Sequence, residues 1–336
     1  MKYNKSKEFK TLSSQCDIIV NKRKLKLPEF INREESMRRL ENELISKNYF
    51  DLINGLEDIL NSSDSKHKFY GNYSLNQLLQ LYKLNKNLRE LILSQISEFE
   101  IKLKTTIAYH FASRYSNWND YRKIKNYKKV TKSDSDDIFI VTYGYSRRYR
   151  GKNPQINQKR LFPFFITDEK LITKLKRKKR YLSAYNGHPP IWVAIKSLDF
   201  GQLHTMFTLL NTDVASDVLA NFNLKSIDRN KFESILFVIN WLRNECAHFE
   251  MINNSRYHGK NQLSKELIED LNLRTAKSRR NLTLFQTMCV LNSVQNFESD
   301  FSELISNSDI PQHLKKEYLK SIGYWRQSDW NISIDF

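Results

Sequence analysis

Arg243, Asn244, Glu245, Cys246, Ala247 and His248 read RNECAH, an Arg and a His separated by four residues. An imidazole can take or give a proton near neutral pH. A guanidinium stays charged, and its planar fork matches a phosphoryl group. The two groups side by side are a minimal kit for cutting RNA without a metal. On a helix, residues five apart point about 140° away from each other, whereas Asn244 and His248, four apart, share a face. Arg243 must therefore curl its long side chain back toward that face. Spacing alone favours a plainer reading, with Arg243 a surface ion-pair residue and His248 a satisfied helical histidine.

The elements that must position this motif read as helices. Gly and Pro are scarce, at 8 and 6 in 336 residues, which argues against a turn-rich β fold. Apolar residues at steps of three and four predict a helix over 33–60, a second opening at Ser74, and a long amphipathic one over 87–115. The stripe of that long helix is Leu88, Leu91, Ile92, Ile96, Phe99, Leu103, Ile107 and Phe111. Pro189 and Pro190 suit the start of a helix. Asp199, Phe200 and Gly201 break it, and a further helix follows over 202–210. Asp228 is placed to cap the helix that carries Phe232, Ile235, Leu236, Ile239 and Leu242 into RNECAH. Helices over 279–305 and 310–322 close the chain. The expected fold class is all-α.

Charge divides the chain unevenly. The net charge is +18, which predicts a polyanionic partner, nucleic acid before an anionic membrane surface. Residues 117–187 hold 19 Lys and Arg against 6 Asp and Glu, so +13 of the +18 lies there. Tyr121, Tyr127, Tyr143, Tyr145, Tyr149, Tyr181 and Tyr185 interleave with the basic clusters. Basic groups neutralise phosphates, and aromatic rings stack on unpaired bases. The candidate RNA-binding residues are Arg147, Arg148, Arg150, Lys174, Lys176, Arg177, Lys178, Lys179 and Arg180. A solvated insertion whose charge only keeps it soluble is the alternative. The expected division is 1–116 as an N-terminal helical part, 117–188 as the basic insertion, 189–306 as the helical core with RNECAH, and 307–336 as a last helix and tail.

Other chemistry is not visible. There is no glycine-rich phosphate loop, and the seven histidines show no HExxH or Cys/His metal spacing. No metal and no cofactor is expected. Asp134, Asp136 and Asp137 fit a solvated loop better than a cation site. Cys16, Cys246 and Cys289 form no paired framework, which fits a reducing cytosol. No signal peptide or membrane-spanning run is evident, so a cytoplasmic chain off the membrane is expected.

RNECAH has the R-N-x-x-x-H form of the HEPN ribonuclease motif, and the surrounding sequence resembles the Abi family of abortive-infection proteins, of the AbiD/AbiF type. The likeness is carried by residues 40–56 (LENELISKNYFDLINGL), 69–112, 189–207 (PPIWVAIKSLDFGQLHTMF), the WLRNECAH block at 241–248, and GYWRQSDW at 323–330. The resemblance implies a HEPN-like helical bundle and metal-independent endoribonuclease activity in antiphage defence. It implies that His248 handles the proton of the 2′-hydroxyl or the leaving 5′-oxygen. Arg243 would stabilise the phosphorane, and Asn244 would orient the His or touch phosphate. Glu100 and Lys104, and less surely Arg89, match charged positions of the family's long helix, in a supporting role. The single Arg-x4-His implies a homodimer that places two histidines at one phosphate. RNA is the expected substrate, and a structured noncoding RNA held by the basic insertion is a candidate restraint. A non-catalytic RNA-binding protein on the same scaffold is the alternative.

Overall fold

A computed structural model describes residues 9–28, 31–60, 73–128, 185, 189–259, 262–273, 279–324, 330 and 332. Among these the architecture is all-α, with one two-stranded ribbon. Helix α1 (Leu12–Asp17) runs on into a π-helical stretch, Ile18–Lys22. Helix α2 (Arg33–Lys47) starts where the Asn32 side chain accepts the Glu35 N–H at 2.8 Å. The single helix expected over 33–60 is interrupted. Asn48 takes a positive φ of 59°, which Asn tolerates better than most residues, and its side chain accepts the Phe50 N–H at 2.9 Å. The chain continues as a π-helical turn, Phe50–Asn54, and α3 (Glu57–Leu60).

Helix α4 (Leu75–Arg114) has 40 residues and is therefore about 60 Å long. It opens on a reciprocal cap between Ser74 and Gln77. The two helices expected here are one. No Gly or Pro intervenes, and Leu81, Leu84, Asn85 and Leu88 keep the buried face continuous through the anticipated gap.

The remaining helices gather around α4. They are α5 (Ile191–Ala194), α6 (Phe200–Leu209), α7 (Thr212–Ala220), α8 (Arg229–Ala247), α9 (Lys265–Asp270), α10 (Leu284–Asn292), α11 (Phe297–Ser306) and α12 (Gln312–Ile322). Pro190 directly precedes α5, as the sequence indicates, and α6 starts two residues earlier than expected, because Asp199 caps it and Phe200 and Gly201 join its first turn. Asp228 stands just before α8, but its carboxylate accepts the Lys225 N–H at 2.7 Å instead of capping that helix. The ribbon pairs β1 (Arg256–His258) with β2 (Asn281–Thr283), antiparallel. The long helix expected over 279–305 is divided into β2, α10 and α11. Its break comes where the Asn292 side chain accepts the N–H groups of Phe297 and Glu298, both at 2.9 Å, and starts a new helix.

Helix α4 packs on α5, α6, α7, α8 and α11, and α8 packs on α6, α7, α9 and α10. Phe99 anchors the centre, with ring centroids 6.1 Å from Phe200, 5.5 Å from Phe222 and 6.3 Å from Phe232. Phe232 lies near the start of α8, whereas the residue just past its end, Phe249, meets Arg89. The two helices therefore run antiparallel. The first residues of the basic segment belong to this packed body. Tyr121 and Tyr127, two of the tyrosines interleaved with the basic clusters, are buried, and their hydroxyls donate to Pro189 O at 2.9 Å and Tyr121 O at 2.6 Å. Among the described residues no helix is long and apolar enough to cross a membrane.

Candidate functional site

The last turns of α8 sort the motif by the inward direction of two residues. Leu242 and Cys246, four apart, are fully buried. That leaves Arg243 half-buried, and Asn244 and His248 exposed. Arg243 Nη1 donates to Asn244 Oδ1 at 3.3 Å, which folds the guanidinium along the helix surface. His248 is the C-cap residue. Glu245 accepts the Ser255 hydroxyl at 2.6 Å, tying α8 to the segment entering β1. Burial pushes the Cys246 thiol up to about 12, with Arg89 acting in the opposite direction, so this thiol is chemically quiet.

The turn after His248 is held from α4. Asn85 is fully buried; its Oδ1 accepts the Ile252 N–H at 3.1 Å, and its Nδ2 donates to Tyr318 Oη at 3.2 Å and Asn253 Oδ1 at 3.4 Å. One turn further along, Arg89 Nη1 donates to Glu250 O at 3.1 Å. Its guanidinium carbon lies 5.2 Å from the Phe249 ring centroid. Asp51 belongs to the same cluster: its pKa is raised by burial first and by Glu250 second, while Arg89 pulls it down. A buried polar group without a partner costs on the order of 1–3 kcal/mol. Asn85 therefore stabilises the one turn conformation that presents Ile252 N–H to it.

The structure thus sets Arg243, Asn244 and His248 at one helix end, and Asn85 and Arg89 hold the turn that follows them. It does not bring Glu100 and Lys104 there. Those two form an ion pair with each other at 2.6 Å. They lie eleven and fifteen residues beyond Arg89, about 16 and 22 Å along α4, beside Phe99 and the start of α8. Arg256, just past the motif, is committed to Ser321 O at 3.1 Å and Ser255 O at 3.0 Å. Arg147, Arg148, Arg150, Lys174, Lys176, Arg177, Lys178, Lys179 and Arg180 lie outside the described residues. Among the described residues no three His, Cys, Asp or Glu are grouped to hold a metal ion.

Asn85 was open to detection in the sequence and Arg89 partly so. Both stand on the buried stripe Leu81, Leu88, Ile92, Ile96, where a polar residue must find a specific partner.

A family model described as Abi-like protein matches residues 42–254, from the middle of α2 to the turn that follows the motif. No curated protein and no solved structure matches the chain. The family match takes in α4, α8 and the Asn85–Arg89 clamp, and it covers more than half of the 336 residues. The chain that carries this clamped, exposed R-N-x-x-x-H turn belongs to the Abi-like protein family.

Proposed function

We propose that this chain is a metal-independent endoribonuclease of HEPN type that acts as a cytoplasmic abortive-infection effector against phage. The observation that carries the reading is the joint exposure of Asn244 and His248, with Arg243 alongside, on a buried support in an Abi-like chain of net charge +18. In the proposed reaction the RNA's own 2′-hydroxyl attacks the adjacent phosphorus. The 5′-oxygen leaves, and the products are a 2′,3′-cyclic phosphate and a 5′-hydroxyl. His248 moves one of the two protons involved. Arg243 turns from Asn244 to the phosphorane, whose added charge it stabilises. A second proton-transfer group comes from the same motif of a second copy, since a two-fold axis at the α8 end sets two His248 residues across one phosphate. Restraint by a structured noncoding RNA, held through residues 117–187, completes the proposal.

The test is cleavage of labelled total RNA in excess EDTA by the purified chain and its His248→Ala form. Cutting by the first alone, with cyclic-phosphate ends, is the expected result. The second reading is a non-catalytic RNA-binding protein, favoured by the concentration of +13 in residues 117–187. It predicts that neither form cuts RNA stripped of co-purified RNA. It also predicts that charge reversal at 174–180 weakens binding far more than His248→Ala does.

A further inference from the structure

Phe249 follows His248 directly and is the residue least expected in its position. Its φ is +61°, a left-handed conformation that a helix exit normally gives to Gly or Asn. Its ring is 68 % exposed. The backbone that follows it is held at two points: by Arg89 through Glu250 O, and by Asn85 through the Ile252 N–H. Arg89 is itself only 7 % exposed, and its guanidinium supports the ring from beneath. An off-centre backbone that buried polar groups hold in place points to use of the side chain it presents.

We infer that Phe249 is a stacking platform for a nucleobase of single-stranded RNA, set beside His248 so that the base it holds belongs to a nucleotide at the scissile phosphate. The chemistry around the ring selects this occupant. Asn244, His248 and Glu250 around it in the chain are exposed and polar, a setting that suits a base carried on a charged backbone. A flat heteroaromatic base, which stacks on its faces, suits an exposed aromatic ring that follows His248 directly and rests on the Arg89 guanidinium. The Glu250 carboxylate, also exposed, disfavours a phosphate on its own side. Stacking is tolerant of base identity, which makes Phe249 a positioning group for unpaired RNA and not a reader of sequence. The inference deepens the ribonuclease reading, but its test uses RNA that 2′-hydroxyl attack cannot cut.

The experiment is photocross-linking of the full chain to a short 2′-O-methyl oligonucleotide carrying 5-iodouracil, with the adduct mapped by mass spectrometry and affinities measured in parallel. The expected result is an adduct on Phe249. Phe249→Leu should weaken binding by about tenfold, while Phe249→Trp stays within about twofold of the unaltered chain. Leu keeps the apolar contact and the backbone demand, so only stacking separates the two variants. An adduct mapped elsewhere with unchanged Phe249→Leu affinity overturns the platform. So does a Phe249→Leu form that loses self-association by sedimentation yet binds RNA as before, since the ring would then cover a second copy. An adduct on Phe249 in a chain that never cuts RNA keeps the platform and removes the ribonuclease reading alone.

Discussion

The two halves of α4 use one buried stripe for different ends. Near its start the stripe carries Asn85 and Arg89, polar residues whose partners all lie on the turn after His248 or on Tyr318. Farther along it carries Phe99, packed among Phe200, Phe222 and Phe232, with Glu100 and Lys104 beside it paired to each other. Around them Ile101 and Tyr109, with Trp192 of α5, stand exposed along a groove of about 560 Å³ that Lys104 also lines. Apolar interdigitation tolerates adjustment, because many small contacts can be remade. A buried amide satisfied by one N–H does not. The first half therefore specifies a geometry and the second half supplies stability.

The largest effect separates the two ends by chemistry. His248→Ala should lower the rate of RNA cleavage by about 10²- to 10⁴-fold, the usual reach of one proton-transfer group. Glu100→Gln should change it by less than about threefold, because its carboxylate lies about 16 Å along the helix from Arg89. Single-turnover cleavage of one labelled RNA by both variants makes the measurement. Equal losses would mean that Glu100 reaches a site in a second copy, and the contrast between the ends would fall.

Stability reverses the ranking. Phe99→Ala should reduce the unfolding free energy by about 3–5 kcal/mol, since it opens a cavity among three other rings. Asn85→Ala should cost about 1–3 kcal/mol by orphaning the Ile252 N–H and loosening Tyr318. Urea titrations give both numbers. The sharper comparison is in activity at a urea-free temperature where both remain folded. Asn85→Ala should lose cleavage rate, and Phe99→Ala should keep most of it.

These contrasts also show what the sequence disclosed. The stripe of α4, the Pro190 helix start and the helix leading into RNECAH were legible, because periodicity and a proline at a helix start are local signals. The continuity of α4 and the breaks after Lys47 and Asn292 were not. Each depends on a side chain, Asn48 or Asn292, bonding backbone N–H groups that another conformation would also leave free. The motif was legible as residue types but not as a site. The turn that follows it is held by Asn85 and Arg89, about 160 residues earlier, and Arg89 came into view only through family likeness. Tyr121 and Tyr127 misled because a basic neighbourhood says nothing of where a ring points.

Acidity probes the stability side of α4 through His204 of α6. Its ring is buried against Phe237, 4.5 Å between centroids, and burial lowers its pKa to about 3. The neutral form is thus the folded form. Between the unfolded value near 6.5 and about 3, the unfolded chain binds a proton that the folded chain refuses. Stability from this group is complete above pH 6.5 and falls as pH drops, by up to about 1.4 kcal/mol per unit. His204→Leu should flatten that slope between pH 6.5 and 4, read as a smaller shift in urea midpoint. An unchanged slope would assign the acid sensitivity to other groups.

The smallest effect completes the comparison. Lys104 and Glu100 are partly shielded, at 16 % and 22 % side-chain exposure, and pair within one helix. Such i,i+4 pairs contribute about 0.3–0.5 kcal/mol. Lys104→Met should accordingly shift the urea midpoint barely beyond error, because the methionine keeps the apolar stem against the groove wall. Its use lies in the contrast with Arg89→Met, which removes the donor to Glu250 O and the support of the Phe249 ring. If Lys104→Met is silent in stability and cleavage while Arg89→Met lowers both, then charge on α4 matters where it is buried against the motif turn and not where it pairs within the helix. A Lys104→Met chain that keeps its stability but loses cleavage would instead place the far end of α4 at the RNA, and the division of the helix into two tasks would have to be redrawn.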